Sequence, residues 1–122
     1  MKIESAEIRY VVLPLISPFR TSLGESTTTH SVMVRLSSKG VEGWGEASPS
    51  YPPRYSPEWA RSVYEADREF FLPRLVGQEV DSAADLMNRL AVFKGNLFAK
   101  ASVETAWWAL HSKLLDSPSG EF

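Results

Sequence analysis

The hydrophobic period of this chain changes once, from two to about 3.6, and the change falls at the proline-rich stretch "SPSYPPRYSPE", Ser48–Glu58. A period of two lines one face of a strand, and the longer period lines one stripe of a helix. The chain is therefore read as a sheet half followed by a helix half. In the first half Ala6, Ile8, Tyr10 and Val12 alternate with Ser5, Glu7 and Arg9. Val32, Val34 and Leu36 repeat the pattern, "SSKG" provides a turn at Gly40, and Val41 to Ala47 returns. These runs predict a three-stranded antiparallel meander. Gly43 and Gly45, flanking Trp44, predict a bulge or the close approach of another backbone.

The second half reads as about three helices. Ser56, Pro57 and Glu58 have the order of an N-cap, a first-turn proline and a first-turn acid. Trp59, Val63, Ala66 and Phe70 then recur on one expected inner face until Pro73. Asp81 or Ser82 caps a second helix with Ala83, Leu86, Met87 and Leu90 inward. "KGN", Lys94–Asn96, breaks it, and a third helix spans about Leu97 to Leu115 with Ala99, Val103, Ala106, Leu110 and Leu114 on one stripe. The fold class is α+β, a meander sheet followed by a helix bundle packed on it.

One segment resists this plan. "SPFRTSLGESTTTH", Ser17–His30, separates the first two strands, because Pro14 and Pro18 are expected to stop the first one. It is far longer than an ordinary hairpin connection of two to about five residues. A polar Ser/Thr-rich loop of that length suggests a functional role.

With 122 residues the chain is of single-domain size, long enough for a core and short for a complete enzyme of most classes. A net charge of −2 gives no electrostatic reason to expect nucleic acid or an anionic membrane as partner. There is no cysteine, hence no disulfide, thiolate metal site or cysteine nucleophile. The N-terminus alternates and does not form a signal-peptide core, and no apolar run has membrane-spanning length; cytoplasm is the default expectation. No G-x-S-x-G, H-E-x-x-H, phosphate loop or G-x-G-x-x-G occurs. His30 and His111 lack companions at ligand spacing and are read as surface or hydrogen-bonded residues. Glu46, at a strand end after Gly45, is a candidate buried carboxylate with a structural hydrogen-bonding role. Trp107 and Trp108 are read as helix packing. No catalytic residue and no metal ligand is assigned to the chain.

Four stretches, taken in order, carry a resemblance: "KIESAEIRYVVLPLISPFRTSLG", "GVEGWGEASP", "FLPRLVGQEVDS" and "GNLFAKASVETAWWALHSKLL". Together, over Lys2 to Pro118, they resemble the N-terminal capping domain of the enolase superfamily. Within it they are most similar to the muconate-lactonizing subgroup, and nearest to o-succinylbenzoate synthases and N-succinyl/N-acylamino acid racemases. The resemblance implies a small carboxylate substrate whose alpha proton is abstracted and returned by lysines of a following (β/α) barrel. It also implies a Mg2+ (or Mn2+) ion held by that barrel, and lyase or isomerase chemistry for the whole enzyme. It implies that the cap closes two loops over the barrel mouth. Mapped by resemblance, the substrate-contacting residues are Phe19, Arg20, Thr21, Ser22 and Gly24 in the first loop, and Ser50, Tyr51 and Tyr55 in the second.

Two departures stand out. Ala109 follows "AWW" where the family commonly has Asp, and "DSPSGEF" diverges where the family continues toward its barrel. Residues 1–118 are thus expected to be the cap and 119–122 a tail or cloning remnant, with the catalytic barrel absent and the chain inactive alone. A stand-alone binding module on the same fold is the alternative, and an uncovered cap leaves self-association open.

Overall fold

The structure, a computed structural model, describes residues 1–21, 24–49 and 57–116, with side chains for 1–14, 29–49 and 57–116. The expected meander is present. Strand β1 (Ser5–Thr21) pairs antiparallel with β2 (Gly24–Ser38), which pairs antiparallel with β3 (Val41–Ala47), in the order β1-β2-β3. The register sets Ala6, Ile8 and Tyr10 opposite Leu36, Val34 and Val32, and Val32, Val34 and Leu36 opposite Ala47, Gly45 and Gly43. Lys39 and Gly40 make the tight turn between β2 and β3, both with positive φ (54° and 76°).

The first correction concerns Ser17–His30, which is not a long loop. β1 runs past Pro14 and Pro18 to Thr21, and β2 begins at Gly24, so only residues 22–23 separate the strands. Two facts make this physically sound. β1 is an edge strand, so half of its N–H groups face no neighbour and a proline there forfeits nothing. The pairing also shifts register between Pro14 and Phe19, placing the irregularity where the two prolines fall.

Helix α1 (Ala60–Ala66) opens the second half, and here the sequence reading is corrected twice. Trp59 is the N-cap residue, and its N–H donates to the Ser62 hydroxyl at 2.9 Å; the expected cap Ser56 lies outside the described residues. The helix then widens into a π turn, Asp67–Phe71, in which the Leu72 N–H reaches the Asp67 carbonyl five residues back. Each such turn inserts one residue and advances the phase of everything after it. The inward position therefore passes from Phe70 to Phe71: Phe71 is 1% exposed and Phe70 is 53% exposed. A 3-10 turn, Leu72–Arg74, completes the segment.

Helix α2 (Ala83–Leu90) is capped by Ser82, whose hydroxyl accepts from the Asp85 N–H at 3.0 Å, and it buries Leu86 and Leu90 as expected. Helix α3 (Leu97–Leu115) matches its expected span, and Ala99, Val103, Ala106, Leu110 and Leu114 are all buried. α3 lies along the sheet, and its closest approach is to β3. A Cβ built on Gly43 would overlap the Ala106 carbonyl and the Leu110 amide; one on Gly45 would overlap the Ser102 carbonyl. The close backbone approach expected at these glycines is what the structure shows. The N-terminal residues close the other end: the Ile3 N–H donates to Gln78 O at 2.9 Å, the Val80 N–H to Met1 O at 2.8 Å, and the Trp107 indole N–H to Val80 O at 3.2 Å.

Gly45→Ala should cost about 3 kcal/mol, because a methyl group meets backbone that cannot step aside, whereas Gly40→Ala, in open space at positive φ, should cost about 1 kcal/mol. Urea denaturation of both variants checks the order. The π turn makes a second prediction: Phe71→Ala should lose about 4 kcal/mol and Phe70→Ala about 1 kcal/mol or less. An uninterrupted α-helix would reverse that ranking.

Candidate functional site

The register brings the two expected substrate-contacting segments to one end of the sheet. β2 starts at Gly24 and runs away from the hairpin tip, and β3 runs back toward it, ending with Ala47 opposite Val32. The chain that follows β3 therefore leaves from the end at which the β1–β2 hairpin projects. Phe19, Arg20 and Thr21 lie in the last residues of β1, paired with Ser26, Glu25 and Gly24. Ser22, Ser50, Tyr51 and Tyr55 lie outside the described residues, as do Ser119–Phe122.

Beneath that end is a polar aromatic cluster that no sequence motif announced. The Tyr10 hydroxyl and His30 Nδ1 are 2.6 Å apart, and Tyr10 meets Tyr64 edge-on at 5.8 Å between ring centroids. The Arg61 guanidinium lies 5.9 Å from the Tyr10 ring. Tyr10 comes from β1, His30 from β2, and Arg61 and Tyr64 from α1, so the cluster joins both halves of the chain. The only signal for it in the sequence was Tyr10 among the inward-alternating residues. His30 is hydrogen-bonded, in line with its reading. Glu46 is exposed, which corrects the expectation of a buried carboxylate; it accepts from the Ser31 hydroxyl at 2.7 Å. His111 stacks on buried Trp107 at 4.8 Å, while Trp108 points outward.

The second feature is the junction between α1 and α3. Glu58 does not serve the helix that follows it. Its carboxylate accepts from the Phe98 N–H (2.8 Å) and the Ala99 N–H (3.1 Å), satisfying first-turn donors of α3 forty residues on. That role falls to a distant acid because Asn96, the N-cap residue of α3, has a left-handed backbone (φ 57°) and makes no side-chain cap. Deeper in the junction, Asp67 of the π turn is completely buried and accepts a hydrogen bond from the equally buried Ser102 of α3 at 2.9 Å. Burial pushes the Asp67 carboxyl up to about 8; the Ser102 hydrogen bond opposes the rise and the charge of Glu58 adds to it.

Among the described residues no three His, Asp or Glu side chains gather in a way that could hold a metal ion, and no helix is long and apolar enough to cross a membrane. The chemistry within reach of the described residues is therefore positioning, covering and hydrogen bonding.

Comparison with known proteins agrees with this architecture. The family described as Mandelate racemase / muconate lactonizing enzyme, N-terminal domain, matches residues 4–121. The chain belongs to that family and corresponds to its N-terminal domain. It is 38% identical to the N-succinylamino acid racemase of Thermus thermophilus, covering 97% of this chain and 32% of the racemase. It is 34% identical to the o-succinylbenzoate synthase of Geobacillus kaustophilus, again over 97% of this chain and 32% of the relative. Among solved structures, an enolase-superfamily member from Listeria innocua superposes with a TM-score of 0.85 at 30% identity, over 93% of this chain and 31% of that one. The muconate lactonizing enzyme of Pseudomonas fluorescens gives 0.84 at 32% identity, over 93% and 31%. The chain thus spans about a third of the length of the relatives it matches.

Glu58→Ala should lose about 1 kcal/mol of stability, in the range of a lost N-cap. Glu58→Gln should lose less, because the amide oxygen still accepts. Equal losses in thermal or urea unfolding would show that the charge, and not the capping geometry, holds the junction.

Proposed function

We propose that this domain is the cap of a divalent-metal-dependent enolase-superfamily enzyme of the o-succinylbenzoate synthase or N-succinylamino acid racemase kind. In this reading it shapes specificity over a substrate carboxylate whose alpha proton is removed elsewhere. The observation that carries the reading is the outer face of α3. Leu97, Trp108 and Leu115 are 73%, 49% and 46% exposed, and Ala101, Thr105 and Ser112 lie between them on the same uncharged stripe. A helix apolar on both faces is made to be covered twice, once by its own sheet and once by something else. The relatives carry about two further thirds of chain beyond the matched part, which supplies the natural cover.

The division of labour follows from what the described residues hold. They offer no metal-binding trio, so the ion and the proton-transferring lysines belong to the second domain in this proposal. What the cap adds is exclusion of water and contact with the non-reacting part of the substrate. Phe19 would present an apolar wall. Arg20 would face a carboxylate, with Thr21, Ser22 and Gly24 giving small contacts. Ser50, Tyr51 and Tyr55 would close from the second segment. Because both segments leave from one end of the sheet, a single docking of the cap would bring them over one opening.

A chimera tests the reading: this chain in place of the N-terminal third of the Thermus thermophilus N-succinylamino acid racemase, assayed with Mg2+. We expect turnover by the chimera and none by this chain alone. Phe19→Ala in the chimera should raise KM for the acylated substrate about tenfold, which corresponds to roughly 1.4 kcal/mol of contact energy. Trp108→Glu should uncouple the two parts. Turnover by this chain alone, or a soluble, folded chimera indifferent to Trp108→Glu, would defeat the proposal. A stand-alone binding module would instead remain monodisperse without a covering domain.

A further inference from the structure

Asp67 is a buried acid to which no role in the cap reading is assigned, and its surroundings pose a proton-counting problem. The Ser102 hydroxyl lies 2.9 Å from Asp67 Oδ2 and 2.7 Å from the Ala99 carbonyl oxygen. A hydroxyl carries one proton and can donate to one of them. The carbonyl can only accept. Asp67 Oδ1 is buried with no hydrogen-bond partner. An ionised Asp67 would therefore sit with one bare charged oxygen in an apolar junction while competing with Ala99 for the single Ser102 proton. Place a proton on Asp67 and the conflict disappears: Asp67 Oδ2–H donates to Ser102 Oγ, and Ser102 Oγ–H donates to Ala99 O.

The charged groups near this site do not argue otherwise. Glu58, ahead of α1, is the nearest charge acting on Asp67, and it repels a second negative charge. On α3, the Lys100 ammonium is turned to the Phe93 carbonyl at 2.6 Å. On the π turn itself Arg68 is exposed and paired with Glu65 (3.1 Å) and Glu69 (2.6 Å), and on the 3-10 turn Arg74 donates to Arg89 O. None of these cations faces the Asp67 carboxyl.

We infer that Asp67 is a proton-linked latch: as a neutral acid it ties the π turn to α3 through Ser102 and Ala99, and loss of its proton to solvent base releases that tie. The inference is independent of the proposed catalytic role. What the latch governs is the seating of α1 and its π turn on α3, and α1 is the element that follows residues 50–56. The direction of the pH effect follows from linkage. The carboxyl is raised in the closed junction, to about 8, above its ordinary value of 3.8 in the opened one. Between those values the closed state binds a proton that the open state has released, so closure is strongest at low pH and weakens as pH rises. Above the higher value the dependence ends.

The test is made on the full chain. Carboxyl 13C NMR, with Asp67→Asn to assign the signal, follows the titration of Asp67 directly. Amide hydrogen exchange then follows Leu72, whose N–H closes the π turn on the Asp67 carbonyl. Corrected for intrinsic base catalysis, protection at Leu72 should fall about tenfold per pH unit through the window. In Asp67→Asn, whose amide can donate to Ser102 without titrating, protection should be flat. If that variant does not fold, the wild-type titration and the Leu72 slope decide by themselves. Titration of Asp67 in the ordinary carboxylate range would overturn the inference, and so would a pH-independent Leu72 in the wild type or an equal slope in Asp67→Asn.

Discussion

The contact on which the rest of this domain depends is the backbone-to-backbone seating of β3 on α3. Gly43 and Gly45 leave no side chains on the inner face of β3, so the helix backbone at Ser102, Ala106 and Leu110 comes where Cβ atoms would otherwise stand. Close approach brings Val32, Val34 and Leu36 of the central strand under the same helix, and those residues are fully buried. Dispersion falls steeply with distance, so this nearness turns a three-stranded sheet and one long helix into a core. Trp44 between the two glycines points to the other side, where the Arg9 guanidinium lies 5.2 Å from its ring.

With α3 fixed on the sheet, α1 has to reach across both. It does so by ties that are all non-local. Glu58 holds the first turn of α3, Asp67 meets Ser102, and Tyr64 meets Tyr10 of β1. The π turn is the geometric consequence. It lets one segment point Ala66 and Asp67 toward α3 and, further on, Phe71 and Leu72 into the core. A regular helix of that length would present Phe70 and lose the fit to Phe93, which Phe71 meets at 5.4 Å. The inserted residue is thus a packing solution, and the buried acid at its start is what makes the same solution sensitive to protons.

Much of this was legible in the residues, and the misses share a cause. The three strands, the Ser82 cap, the span of α3 and its buried stripe all follow from local pattern, because each is decided within a few residues. The glycine pair was readable too, since an absent side chain on an inward position has few other uses. What could not be read were features set by distant partners. Glu58 looks like a cap for its own helix until Asn96 is seen in a left-handed conformation without a side-chain cap of its own. Phe70 looks buried until one extra residue in the turn hands the position to Phe71. Pro14 and Pro18 look like strand ends until β1 is known to be an edge. Tyr10, His30, Arg61 and Tyr64 converge only after both halves have packed. Of the candidate contact residues, Phe19, Arg20, Thr21 and Gly24 find backbone positions in the hairpin, and Ser22, Ser50, Tyr51 and Tyr55 lie outside the described residues.

The double-sided character of α3 ties fold to function. Its inner stripe answers to β3, yet its outer stripe offers Leu97, Trp108 and Leu115 with no charge between them. Evolution of an isolated small domain would favour charges there, since solubility costs nothing on a surface and exposed apolar stripes invite association. Retaining an apolar outer stripe on the same helix whose inner stripe organises the core places two demands on one element. That is the economy expected of a domain that folds on its own sheet and then works against a second one. It also explains why the Glu58 and Asp67 ties converge on α3: any shift of that helix would move both the sheet end that carries the hairpin and the face that meets the partner.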